Sequence, residues 1–348
     1  METLKNPHRG IGLNHANLTA APDPSVADQN VLSLLSRCPR AGVTPLVESD
    51  FLAAKAGVGR FFLKDERERM GLGSFKALGA AYVIACDHEA GQAEGRTYIA
   101  ASAGNHGLSV AAGAAAFKAR AIIYLSEQVP EAFATRLKAQ GAEVVRSGSS
   151  YAESMEAAAR AAAEQGAVLL SDSSWEGYFE IPHRLMEGYL AMMAEVFEAI
   201  DKPPTHLFLQ AGVGGLAGAA AAAARAAWGD ETCIIVVEPE VAPALLASIK
   251  VGRPVLADGP VSAMGRLDCK EPSLIALKGL ARDADFFMTI TEEEGAAGAK
   301  IAASAGLQST PSGAAGLSGA IVAAQSAAIP QLDTAARVLS ILSEGPEA

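Results

Sequence analysis

Lys76 directly follows Phe75, at the point where a turn containing Gly71, Gly73 and Ser74 runs into a helical stretch. A helix N-terminus carries partial positive charge and favours acids over cations. An amine held there tends towards a lowered pKa, and a partly neutral lysine is what imine formation needs. Taken alone, such a lysine also reads as a solvated surface residue. A second segment, Ser102, Ala103, Gly104, Asn105 and His106, joins a β-like run to a helical one. Its small residues leave backbone N–H groups exposed at a helix start, an arrangement that binds carboxylate or phosphate, or simply caps the helix. A third segment, Gly212, Val213, Gly214, Gly215 and Leu216, repeats the strand-to-helix pattern. Its N–H groups can cradle a phosphate with no basic side chain. It also satisfies GxGxxA, with Glu238 at the end of the next strand, which leaves open a nicotinamide-dinucleotide oxidoreductase. Its place deep in the chain, after the other two loops, argues against that alternative.

The elements around these loops set their geometry. Strands are expected at 60–64, 97–101, 121–125, 143–146, 167–171, 206–210, 233–237, 286–290 and 337–342, with helices between most of them, among them 74–89, 105–118 and 151–165. Residues 1–60 read as irregular apart from a helical stretch near 31–35. The alanine-rich runs 111–116, 157–163 and 219–224 read as helices packed close to a sheet. Strand–helix alternation at this spacing predicts parallel α/β sheets, and nine strands suit two α/β domains better than one. All three loops then fall at carboxyl ends of parallel strands, where open α/β sheets bind ligands.

Composition removes several other classes. The chain has 348 residues, 50% hydrophobic and 19% charged, which supports a large core and excludes global disorder. A net charge of −11 argues against a nucleic-acid surface. Cys38, Cys86, Cys233 and Cys269 lie far apart without a CxxC pair, so neither a disulfide framework nor a metal site is expected. The first residues lack the apolar run of a signal peptide, and no stretch reads as a membrane span. A cytoplasmic protein is the resulting expectation.

An amine, an anion-binding turn with an asparagine, and a glycine cup together match the needs of pyridoxal phosphate. With them come Lys64, Asp65 and Glu66, the run Asp172, Ser173, Ser174, Trp175, Glu176, Gly177 and Tyr178, then Val237, Glu238 and Pro239, and Leu267 through Pro272. On these landmarks the chain, over 44–344, resembles the fold-type II pyridoxal-phosphate enzymes. Within them it looks most like the diaminopropionate ammonia-lyase branch, to which the 172–178 element points.

The resemblance implies two parallel-sheet α/β domains with the cofactor in the cleft between them. The large domain would comprise 1–88 and 181–348, the small one 89–180, in a homodimer. It implies Lys76 as the Schiff-base lysine and proton shuttle, with Phe75 packed by the cofactor. Asn105 would meet the ring hydroxyl, residues 102–106 would hold the substrate carboxylate, and Gly212 to Leu216 would bind the phosphate. Ser343 would face the pyridine nitrogen, and Asp172 would be a substrate-side acid or base. The implied activity is α,β-elimination on a β-substituted α-amino acid, giving a 2-oxo acid and ammonia. A hydroxy-amino-acid dehydratase of the same fold is the alternative. Ala103 stands where the ammonia-lyase branch has an aspartate associated with the D-isomer, which predicts a preference for L-substrates. The chain ends soon after the core, so no attached regulatory domain is expected.

Overall fold

A computed structural model describes residues 1–346. The strands are β1 Thr3–Lys5, β2 Leu46–Glu48, β3 Arg60–Asp65, β4 Thr97–Ala101, β5 Arg120–Leu125, β6 Glu143–Arg146, β7 Val168–Leu169, β8 His206–Gln210, β9 Cys233–Pro239, β10 Phe286–Ile290 and β11 Arg337–Leu342. They form a seven-stranded sheet in the order β1-β10-β9-β8-β11-β3-β2 and a four-stranded sheet in the order β6-β5-β4-β7. The smaller sheet is parallel throughout. The larger is parallel from β10 to β3 and antiparallel at both edges, where β1 meets β10 and β2 meets β3.

The central strands of the large sheet read as near-continuous apolar runs because helices cover both faces. β8 and most of β9 are buried along their length. The helix Gly215–Trp228, almost all Gly and Ala through its first ten residues, is buried over that whole stretch. Small side chains let its backbone approach the sheet closely.

Seven of the nine expected strands keep their bounds or differ by one residue, and β9 runs two residues further than expected. The expected strand at 167–171 shrinks to Val168–Leu169, because the chain turns after Leu170 N–H donates to Ile99 O at 2.7 Å. The helix Asn105–Ala116 stops short of 118, where Lys118 adopts a left-handed φ of 55°. Residues 1–60 are more ordered than expected, holding β1, β2 and the helix Asp50–Ala56.

A buried ion cluster fixes the loop that leads to Lys76. Lys64 is 1% exposed, while Arg69 and Glu66 are fully buried. Arg69 pairs with Glu66 and Glu195 at 2.7 Å each, and Lys64 pairs with the same Glu195. Lys64 also donates to Thr44 O at 2.6 Å, and Arg69 to Gly42 O at 2.9 Å. Two cations and two anions thus tie segment 42–44 and the helix Leu190–Ala199 to the end of β3. Removing one partner strands a buried charge, which typically costs about 3–5 kcal/mol. Glu195→Ala is therefore expected to lose stability on that order, read as a fall in the denaturant midpoint at unchanged slope.

Candidate active site

Five loops gather at the carboxyl ends of β3, β4, β7, β8 and β11. The Lys76 loop is stitched to the chain leaving β11. Glu66 N–H donates to Leu342 O at 2.9 Å, Phe75 N–H to Ser343 O at 3.1 Å, and Gly345 N–H to Gly73 O at 3.0 Å. The helix Lys76–Glu89 starts at the lysine itself, and Ser74 Oγ accepts the Lys76 N–H at 3.3 Å. The Phe75 ring lies 5.2 Å from Lys76 Nζ and 4.9 Å from the Tyr189 ring.

Lys76 Nζ donates to Asp172 Oδ2 in an ion pair largely shielded from solvent. This corrects the expectation of a lowered lysine pKa. Burial does push the amine down, but the Asp172 carboxylate outweighs it and holds Lys76 above its ordinary value. Burial likewise pushes Asp172 up, yet Lys76, with His106 adding to it, holds the carboxyl well below the usual range. The helix start acts on Lys76 only locally, whereas the deciding charge comes from the Asp172 loop.

Asp172 is placed by the polar motif around it. Tyr178 Oη donates to Leu169 O at 2.6 Å and accepts from Ser171 N–H at 3.1 Å. Ser174 Oγ and Ser273 Oγ are 2.7 Å apart, and Ser273 N–H donates to Val213 O at 2.9 Å. Ser174 of the 172–178 run and Ser273, just past the 267–272 run, therefore couple the Asp172 loop to the glycine cup.

The cup itself is the turn into Gly215–Trp228. Gly214 has φ +99°, and a Cβ there would come 3.0 Å from both Ala276 Cβ and Leu245 Cδ1. Gly215, by contrast, has room around it: a Cβ there would lie 3.7 Å from Tyr189 Cε2 and 3.8 Å from Asp172 O. The first-turn N–H groups of a helix have no intrahelical partner, so an anion is the natural ligand here. Cys269, which no reading of the sequence assigned to the site, lies beside the cup: a Cβ on Gly212 would be 2.9 Å from its Sγ. Burial pushes that thiol up to about 12, so it is not a thiolate.

Glu238 turns away from the cup. It is fully buried and accepts N–H from Leu245 and Leu246 at 2.8 Å each, capping the helix Ala244–Val251. Burial pushes its carboxyl up to about 8. It cannot hold the ribose of a dinucleotide from that position.

In the second loop, Ser102 Oγ accepts Gly104 N–H at 3.2 Å, and Ala103 and Gly104 are half-buried. Gly107 allows the turn to close, since a Cβ there would sit 2.3 Å from Ser102 O. His106 is buried, with Nε2 against Leu170 O at 2.8 Å, so its ring joins this turn to the Asp172 loop. Asn105 Nδ2 donates to Glu344 Oε2, and Thr310 Oγ1 to Glu344 Oε1. Arg266 Nε stands 3.7 Å from the same carboxylate. Ser343 is buried beside Glu344 and holds Phe75 and Gly313 through its peptide groups. Glu344, Thr310, Arg266 and Tyr189 are additions to the expected residues. Glu344 lies next to Ser343, and only the direction of its side chain distinguishes the two.

These residues fit pyridoxal phosphate. There is a shielded primary amine, an N–H cup with a positive-φ glycine beside it, a carboxylate within reach of the amine, and a polar turn facing both. When bound, this cofactor holds an amino group covalently and withdraws the electrons left at its α-carbon.

Comparison with known proteins agrees. The pyridoxal-phosphate dependent enzyme family matches residues 38–344. Diaminopropionate ammonia-lyase of Salmonella typhimurium is 31% identical over 301 residues, 78% of this chain and 74% of that protein. L-Threonine ammonia-lyase of Thermotoga maritima is 29% identical over 252 residues, 72% of this chain and 59% of that one. The crystal structure of Escherichia coli diaminopropionate ammonia-lyase with an aminoacrylate–PLP azomethine reaction intermediate superposes with a TM-score of 0.86 at 26% identity, covering 99% of this chain and 93% of that one. Among the described residues no helix is long and apolar enough to cross a membrane. Motif order, fold and the match over 38–344 lead to one conclusion: this chain belongs to the pyridoxal-phosphate dependent enzyme family.

Proposed function

We propose that this protein catalyses α,β-elimination on a β-substituted α-amino acid, releasing a 2-oxo acid and ammonia, in the manner of diaminopropionate ammonia-lyase. The observation that carries this reading is the Lys76–Asp172 pair set between the glycine cup and the Asn105 turn. On this reading the chain divides into a large domain, 1–88 and 181–348, and a small one, 89–180, which corresponds to the division between the two sheets. It works as a cytoplasmic homodimer.

Each residue then has a task. Lys76 anchors the cofactor and afterwards takes the proton from the substrate α-carbon. Phe75 packs against the cofactor, and Asn105 reaches its ring hydroxyl. Ser343 is the hydroxyl at the pyridine nitrogen. Ser102, Ala103, Gly104, Asn105 and His106 form the turn that receives the substrate carboxylate. Gly212, Val213, Gly214, Gly215 and Leu216 hold the phosphate through backbone N–H groups. Asp172 serves the β-leaving group. While Lys76 carries charge, Asp172 stays ionised and pairs well with a cationic β-ammonium. A β-ammonium leaves as neutral ammonia and needs no further proton. For a hydroxyl leaving group, the α-proton taken by Lys76 would pass across the Lys76–Asp172 hydrogen bond, and Asp172 would deliver it to the departing oxygen. With alanine at 103 no second acid stands in the turn, which supports one-sided proton removal and a preference for L-substrates.

The test is a screen of purified, cofactor-loaded protein. L- and D-2,3-diaminopropionate, serine, threonine and their β-aryl and β-carboxyl analogues are scored for 2-oxo acid and ammonia. Release from L-diaminopropionate supports the ammonia-lyase reading, release only from hydroxy-amino acids moves it to the dehydratase alternative, and no release from any of them removes it. Gly214→Asp separates cofactor binding from folding. It places a side chain at a positive φ and a negative charge beside the phosphate site. Cofactor affinity is expected to fall at least about tenfold more than the folding constant, each tenfold being about 1.4 kcal/mol. Equal losses would make the loop purely structural.

A further inference from the structure

Tyr189 is 1% exposed; its hydroxyl makes no hydrogen bond of full geometry among the described residues, and the hydrogen-bonding group that acts on it is the Lys76 amine. A buried hydroxyl left unsatisfied is costly, and a native protein that keeps one usually uses it. The ring is held on both edges. A Cβ on Gly79 would lie 2.8 Å from Tyr189 Cε1, and one on Gly215 would lie 3.7 Å from Cε2. These two carbons flank the hydroxyl-bearing carbon, so Oη projects between the first turn of the Lys76 helix and the first turn of the cup helix. Phe75 packs on the ring at 4.9 Å, tilted by 60°, which fixes its orientation further. Burial holds the phenol above its ordinary value, so it is a neutral hydroxyl, and the Lys76 charge acts directly upon it.

We propose that Tyr189 is a positioning residue for Lys76, its hydroxyl being the second acceptor to which the amine turns when Asp172 is engaged elsewhere. Lys76 Nζ has three donor directions, and Asp172 occupies only one. An amine that must leave Asp172 to the leaving group needs another partner to stay aimed at the α-carbon. Tyr189 is the buried acceptor beside it that has nothing else to bind.

This inference rests on Lys76 being the reacting amine, but its test does not use turnover. Cofactor-free protein is treated with trace acetic anhydride at fixed pH, and the acetylation rate of Lys76 is read by peptide mass. Wild type, Asp172→Asn, Tyr189→Phe and the double variant are compared, with a circular-dichroism melt confirming that each is folded. Only the neutral amine reacts, so losing an acceptor of the ammonium speeds labelling. In the Asp172→Asn background Tyr189 is the remaining partner, and adding Tyr189→Phe is expected to raise the rate about tenfold, equivalent to about one pKa unit. Equal rates for Asp172→Asn and the double variant would overturn the proposal. Should the double variant not fold, fluorotyrosine incorporation into the Asp172→Asn protein weakens the same acceptor while keeping the ring. Faster Lys76 labelling then supports the proposal, and an unchanged rate overturns it. Failure of the elimination reading would appear separately, in the substrate screen.

Discussion

Lys76→Ala is expected to bring turnover down to the uncatalysed background while the protein stays folded. Two functions vanish with one amine: the covalent anchor and the base that takes the α-proton. The substitution also removes the main cation that holds Asp172 below its ordinary range, so burial shifts that carboxyl upwards, towards its protonated form. A protonated aspartic acid in a half-buried site is tolerable where a bare carboxylate is not. Melting and far-ultraviolet circular dichroism should therefore remain close to wild type, while the visible absorbance of the loaded protein disappears. Residual turnover above background in a preparation free of wild-type protein would assign the base to another group.

Asp172→Asn is the second large effect. The amide cannot deliver a proton to a leaving group, nor can it match the charge of a β-ammonium. General-acid help of this kind is typically worth about 10²–10⁴-fold in rate, and a loss in that range is expected in kcat. The visible absorbance of the loaded enzyme should remain, because the anchor is intact. Steady-state kinetics on the best substrate, taken with the absorption spectrum, check both halves. An Asp172→Asn enzyme of full activity would leave the residue only the task of capping its loop. The same variant should soften the preference of Lys76 for its charged form, which the labelling rates read independently.

Much of the scaffold was legible in the sequence, for a physical reason. The central strands are short and mostly apolar, as in the Leu-Phe-Leu of β8 and the Ile-Ile-Val-Val of β9, because both faces of the sheet are buried. β1 and β2, three residues each and half-exposed, carry no such pattern, and long-range pairing alone makes them strands. The loops that carry Lys76, Asn105 and the glycine cup were legible because each joins a strand to a helix through a turn containing glycines. The electrostatics were not. Lys76 and Asp172 are 96 residues apart, and their pairing reverses the direction that local reasoning gives to the lysine. Tyr189 was hidden for a different reason. It opens the apolar stretch Leu190–Ala199 and reads as a core aromatic, and its ring is indeed core. Only the contacts at Gly79 and Gly215 reveal where its hydroxyl points. Glu344 shares a peptide with Ser343, and its partners Asn105 and Thr310 lie far away in the chain, where local pattern does not reach.

Borohydride reduction shows directly whether Lys76 is the covalent anchor of pyridoxal phosphate. The loaded protein is reduced, digested, and its peptides are mapped by mass and by the fluorescence of the reduced cofactor. The visible band is expected to be lost and a single labelled peptide to carry the cofactor on Lys76. A label on another lysine, or a protein that takes up no pyridoxal phosphate to be fixed, would contradict that assignment.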